Sequence, residues 1–201
     1  MRRRELIGAL VAAPFVLPCF GCAQDPTSAV MIDGGPYVPT PAAVVDEMLK
    51  LAEVRRDDTV YDLGSGDGRL VIEAARQHGA RGVGIEREAR LVDLARAKAV
   101  QEKVADRVRF IQEDLFDTDL RGATVVTLYL LPRLLVQLLP KLLRELPAGA
   151  RIVSHDYPLN PWPADKSVIL DVEEKGYTHG SSRTELFLYR MPTESGSRGS
   201  R

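Results

Sequence analysis

The stretch Val60-Tyr61-Asp62-Leu63-Gly64-Ser65-Gly66-Asp67-Gly68-Arg69 restricts what this chain can fold into more than any other. Apolar and β-branched residues (Thr59, Val60, Tyr61) lead into an acid, and three glycines follow at every second position. Leu70-Val71-Ile72-Glu73-Ala74-Ala75-Arg76 then favours a helix. Strand, tight glycine turn and helix in that order build the nucleotide-binding crevice of an α/β sheet. Glycine lets the backbone turn sharply and approach a ligand where a Cβ would clash. The spacing also excludes ligands. A dinucleotide fingerprint reads G-x-G-x-x-G, its third glycine allowing close helix–strand packing. Here Arg69 holds that place, and the third glycine comes one residue early, at Gly68. No Lys-Ser/Thr follows to grip phosphates, so a P-loop is excluded too.

With 201 residues, 45% of them hydrophobic and 27% charged, the chain has the material for one globular α/β domain. The net charge of −1 leaves no clustered basic footprint, so nucleic acid is not an expected partner. Cys19 and Cys22 both precede the domain, so the fold depends on neither disulfides nor a cysteine-ligated metal. His78, His155 and His179 are scattered without ligand spacing, and no metal site is expected.

Residues 1–22 read as a signal peptide or an N-terminal anchor. Arg2, Arg3 and Arg4 make a basic start, and Leu6 to Phe20 is an uncharged, mostly apolar run, short for a membrane span and interrupted by Pro14 and Pro18. Arg3-Arg4-Glu5-Leu6-Ile7 resembles a twin-arginine signal. Gly21-Cys22 reads as a lipoprotein cleavage site with Cys22 acylated, although Cys19 stands where leucine is usual. The expected location is therefore the cell envelope, with membrane association through the N-terminus. The alternative is an uncleaved anchor with the domain on the cytoplasmic face.

Residues 23–35 are polar, with glycine and proline, and read as a linker. The domain spans 36–191. Thr40 as N-cap and Pro41 at the first helical position open a helix over 41–53. Helices are also expected over 67–78, 88–104 and 134–146, and strands over 59–63, 82–86, 108–112, 123–132 and 150–154. Two last strands, 168–174 and 185–190, are joined by a connection too short for a helix and so form an antiparallel pair. The tail 192–201 is expected to be disordered. Glu86 closes its strand 24 residues after Asp62, the place of an acid that accepts hydrogen bonds from ribose hydroxyls; a solvated loop charge is the bland alternative.

Asp-x-Gly-x-Gly-x-Gly from Asp62 to Gly68 resembles motif I of the class I S-adenosylmethionine (SAM) methyltransferases. The resemblance implies an α/β fold: a Rossmann-like, doubly wound, seven-stranded sheet with a C-terminal antiparallel hairpin. It implies SAM as cofactor, its amino-acid end held by Asp62 and the turn Gly64, Ser65, Gly66 and Gly68. It also implies that Asp114 meets the adenine amino group while Leu115 packs on the ring; an N-cap role suits Asp114 equally. Pro36-Tyr37-Val38-Pro39-Thr40-Pro41, the Tyr129-Leu130-Leu131-Pro132 loop and Arg151-Ile152-Val153-Ser154-His155 narrow the resemblance to the small protein-lysine methyltransferases. That group includes archaeal lysine methyltransferases and the enzyme that modifies the ATP synthase c-ring protein. Enzymes that methylate planar amines of bases or glutamine commonly carry Asn/Asp-Pro-Pro-Tyr/Phe after the fourth strand, and this chain does not.

The implied reaction is an in-line transfer of a methyl group from a sulfonium to a neutral amine. Tyr129 and Tyr37 are the candidate catalytic residues, holding the amine by hydroxyl and cation–π contact worth ~0.5–2 kcal/mol. Tyr37 reads alternatively as a packing tyrosine in a rigid proline turn. His155 and Asp156 sit at a strand end that faces the acceptor side, or serve structure alone. The expected acceptor is a protein lysine. A small-molecule O- or N-methyltransferase and a non-catalytic exported binding module are the alternatives.

Overall fold

The computed structural model describes residues 31–32, 35–173 and 182–193. The signal-like segment, the 176–180 connection and the tail from 194 lie outside them. Within the segment read as linker, β1 (Met31–Ile32) pairs antiparallel with β2 (Gly35–Pro36).

The domain is built on one seven-stranded sheet in the order β5-β4-β3-β6-β7-β9-β8. β3 (Thr59–Leu63), β4 (Arg81–Glu86), β5 (Val108–Gln112), β6 (Val125–Leu128) and β7 (Arg151–His155) run parallel. β9 (Arg183–Arg190) lies antiparallel between β7 and β8 (Lys166–Asp171), which gives the C-terminal hairpin. The chain winds outward from β3 to β5, then crosses back to β6 on the other side of β3. That reversal is the switch point where an α/β sheet opens a crevice outside its strand ends.

The parallel strands read as continuous apolar runs because both faces are covered. Helices α1 (Ala42–Leu51), α2 (Arg69–His78) and α3 (Ala89–Gln101) pack on one face through Met48, Leu49, Val71 and Ala95. Helix α4 (Pro132–Glu145) covers the other through Leu135, Leu138 and Leu142.

The differences from the sequence reading are at element ends. Helix α1 starts at Ala42, one residue late, and Thr40 does not cap it: the carbonyl of Pro41 accepts from Val44 and Val45 instead. Thr40 is buried, and its own carbonyl accepts the Arg69 guanidinium at 2.6 Å. Helix α2 begins only at Arg69, because Asp67 and Gly68 belong to the turn and Gly68 takes φ +79. Helix α3 ends at Gln101, three residues early. Helix α4 begins two residues early, with Pro132 at a first-turn position where its missing N–H costs nothing. β6 stops at Leu128, which leaves Tyr129 to Leu131 outside the sheet at its carboxyl edge.

Candidate active site

A cavity of about 400 Å³ opens outside the carboxyl ends of β3, β4, β5 and β6. Nine of the ten expected site residues line it. Asp62, Gly64, Ser65, Gly66 and Glu86 form one wall, and Asp114 and Leu115 close the β5 side. Tyr129 enters from β6, and Tyr37 comes from the segment before α1.

Gly68 is the exception. A Cβ there would come within 2.5 Å of Phe110 and 2.9 Å of Ala95, inside the fold. Its bareness serves the packing of the turn against α3 and β5, the job given to the third glycine of a dinucleotide fingerprint. Gly66 differs. It takes φ +53, and its missing Cβ would meet the Tyr37 ring at 2.4 Å, so the Tyr37 ring packs directly against the turn. That is the packing reading of Tyr37, although the residue also lines the cavity.

Two buried aspartates five residues apart meet opposite surroundings. Asp62 receives one neutral donor, the Thr127 hydroxyl at 2.6 Å, and no cation among the described residues. Burial pushes its carboxyl up to about 7, aided by the negative charges of Glu86 and Asp67. Asp67 is as deeply buried, which opposes ionisation. Yet two hydrogen bonds from Arg69, at 2.9 and 2.8 Å, and an ion pair with Lys98 hold it down at about 2. Asp67 is therefore satisfied by the protein, whereas Asp62 has no cationic neighbour among the described residues.

Glu86 is buried and fixed in advance. One carboxylate oxygen accepts the Gly66 N–H and the other the Glu88 N–H, both at 2.9 Å. A carboxylate has about four acceptor positions, so two stay open for hydroxyl donors. Asp114 Oδ1 accepts the Phe116 N–H at 2.9 Å, an N-cap-like bond, while Oδ2 lies 3.9 Å from Arg87. Its alternative role as a local cap is present, and the side chain still faces the cavity.

At the far end Tyr129 stacks on His155 with ring centroids 3.9 Å apart. Burial, then the negative charge of Asp156, keeps its phenol protonated well above the ordinary range. Tyr37 is pushed up to about 12 by burial and by Asp67, so both hydroxyls remain neutral.

Among the lining residues to which the sequence reading gave no site role are Arg69, Leu130 and Tyr157. Arg69 counted there only as the absence of a glycine; in the fold it joins Asp67 to the Thr40 carbonyl and so ties the Tyr37 segment down. Leu130 sits under Gly64, 3.1 Å from where a Cβ would be. Tyr157 reaches the cavity from beyond β7. Only its place just after a parallel strand hinted at that.

The lining chemistry of the cavity fits SAM. The glycines of the turn let Tyr37 and Leu130 pack closely against the backbone at Gly66 and Gly64, while buried Asp62 and Glu86 face the space beyond. Asp62 suits an ammonium, and Glu86 suits the paired hydroxyls of a ribose.

Known proteins of similar sequence and shape agree with that fit. Residues 62–166 match the model of the ANTKMT methyltransferase domain. A protein-lysine N-methyltransferase of Saccharolobus islandicus is 39% identical over 145 residues, covering 72% of this chain and 89% of that one. The adenine nucleotide translocase lysine N-methyltransferase of Mus musculus is 42% identical over 128 residues, covering 63% of this chain but only 55% of the mouse one. Among solved structures, a Salinibacter ruber protein described as an RNA methyltransferase, in complex with S-adenosyl-L-homocysteine, superposes with a TM-score of 0.71. It is 48% identical, and the match covers 78% of this chain and 95% of that one.

Proposed function

This chain belongs to the ANTKMT methyltransferase family and is a SAM-dependent methyltransferase, and from that premise we propose that it methylates the ε-amino group of a lysine in a protein. One observation carries the reading: besides its acidic and glycine wall, the cavity is lined by Tyr129, Tyr157, Leu130, Leu131 and Leu134, aromatic and apolar side chains that suit the stem of a lysine.

When bound, SAM supplies a methyl group activated on a sulfonium. The chain's residues bind, orient and dry the site. Asp62 takes the ammonium of the cofactor's amino-acid end, Glu86 the ribose hydroxyls, and Asp114 with Leu115 the adenine. Tyr37 covers the glycine turn and excludes water there. A lysine has an ordinary pKa of about 10.4; a partly dry pocket beside a positive charge favours its neutral form. Tyr129 then aligns the amine, and orientation alone can remove up to ~7–11 kcal/mol of barrier.

The test is incubation of the purified protein with methyl-labelled SAM and a cell-envelope extract, followed by digestion and mass spectrometry. The expected result is methyl-lysine in a discrete protein band. Label confined to solvent-extractable molecules would point to a small-molecule enzyme instead. A second reading, RNA methylation, has the description of the Salinibacter protein in its favour. Against it stand the chain's net charge of −1 and Tyr129-Leu130-Leu131-Pro132 in place of a planar-amine motif. Ribonuclease-sensitive label would establish it.

The envelope location and the membrane anchor through residues 1–22 belong to the same proposal. Among the described residues no helix is long and apolar enough to cross a membrane. A C-terminal reporter active in only one compartment decides the side.

A further inference from the structure

The segment before α1 meets the glycine turn twice. At Tyr37 the ring packs against Gly66, whose missing Cβ would lie 2.4 Å from it. Three residues on, the Thr40 carbonyl accepts Arg69 Nη1 at 2.6 Å. Val38 and Pro39, between these two attachments, line the cavity, as Tyr37 and Thr40 do. Pro39 and Pro41 fix φ on either side of Thr40 and leave the backbone few other shapes. Residues 37–40 thus make a short strap lining the cavity, fastened at both ends to the turn that carries Gly66 and Arg69.

Asp67 aims Arg69 at the strap. Its two carboxylate oxygens accept Arg69 Nε at 2.9 Å and Nη2 at 2.8 Å. That fork fixes the guanidinium plane and leaves Nη1 directed at Thr40. Each nitrogen of the guanidinium therefore donates to the protein, which makes Arg69 a holder of the strap rather than of a ligand. Asp67 is buried and also accepts Lys98 Nζ from α3 at 2.5 Å. One cation would already pair with this carboxylate. The second is the one that reaches on to the strap.

We propose that Arg69 is a positioning residue for the cofactor, acting through the Thr40 carbonyl to keep the strap closed on the turn and so setting how long SAM stays in the cavity. The inference concerns the cofactor and is independent of which group accepts the methyl. For SAM to exchange, the strap parts from the turn. Its fastenings suit that motion: a charge-assisted hydrogen bond is strong, and the Tyr37 ring rests on a bare glycine, so both open without unfolding a helix or strand. Lysine at this position would still neutralise Asp67. As a point charge on a flexible stem, it cannot present a fork to Asp67 and a third donor to Thr40.

That difference supplies the test, run on the full chain by chasing bound methyl-labelled SAM with unlabelled SAM. Arg69→Lys is expected to melt near wild type and to release SAM about 10-fold faster, as befits the loss of one hydrogen bond from a charged group. Its labelling of the envelope extract at saturating SAM should stay near wild type. Tyr37→Leu frees the other end of the strap and should also quicken release. The double variant should release SAM no faster than the faster single one, because both substitutions open the same strap. If R69K does not fold, Arg69→Gln takes its place, its amide being within reach of Asp67 but too short for Thr40. Wild-type release from the folded Arg69 variant, or accelerations that multiply in the double variant, would remove Arg69 from this role. A wild-type chain that binds no SAM would overturn the cofactor itself, and this inference with it.

Discussion

The two ends of the cavity are made by different means. At the cofactor end the groups are backbone or are fixed by nearby backbone: glycines at positive φ, Glu86 bonded to the Gly66 and Glu88 N–H groups, and Asp114 bonded to the Phe116 N–H. At the far end, Tyr129 lies just beyond β6 and is placed by the ring of His155 from β7, a residue distant in sequence. The cofactor end is thus assembled from the tips of β3, β4 and β5 and fixed by bonds to backbone. The far end is fixed instead by ring packing between residues of neighbouring strands.

The largest effect that would break this contrast is at Asp62. Asp62→Asn removes the charge meant for the cofactor's ammonium and should weaken SAM about 100-fold by calorimetric titration, hydrogen bonds to charged groups being worth ~1.5–3 kcal/mol. Its stability runs the other way. Asp62 holds a proton up to about pH 7 in the folded chain but only to 3.8 ordinarily. Between those values the folded state binds more protons, so the group's contribution to stability is complete below about pH 4 and is lost as pH rises through about 7. Cofactor-free D62N should therefore melt above wild type at pH 8, and the two should converge near pH 4. A D62N protein less stable at pH 8 would remove the claim that Asp62 lacks a cation.

Next come the two glycines that the motif treats alike. Gly68→Ala must push Phe110 and Ala95 apart at a positive φ, and should cost about 2–4 kcal/mol by chemical denaturation. Gly66→Ala meets only the Tyr37 ring and should cost less stability while weakening SAM more than G68A does, per folded molecule. Equal behaviour would erase the distinction between packing and cavity glycines.

Arg69→Ala leaves Asp67 buried with Lys98 alone and frees the Thr40 carbonyl, so about 1–3 kcal/mol should be lost. Limited proteolysis before α1 should quicken. The smallest effect is a control that belongs to neither end: Val136→Ser, on the exposed side of α4, should shift stability by no more than about 0.5 kcal/mol and leave SAM binding unchanged.

The strand–turn–helix at Asp62 was legible because its chemistry is local. Glycine spacing, a strand-end acid and the 24-residue step to Glu86 are properties of the linear chain, and they sufficed for the fold class, the cofactor and most of the wall that holds it. Where the reading slipped, a long-range contact had displaced a local rule. Thr40 looked like a helix cap but serves Arg69 through its carbonyl, and Gly68 looked like a ligand contact but faces Phe110.

By itself, then, the order of residues determined that a parallel sheet would open a SAM crevice at the tip of β3, since backbone freedom and hydrophobic runs act within a few residues. Only the tertiary structure decided that of two buried aspartates one is neutralised by Arg69 and Lys98 and the other waits for a cation. It alone set Tyr129 on His155. Charge pairing and ring stacking depend on distance in space, and the β6–β7 register that creates those distances is set by packing of the whole sheet.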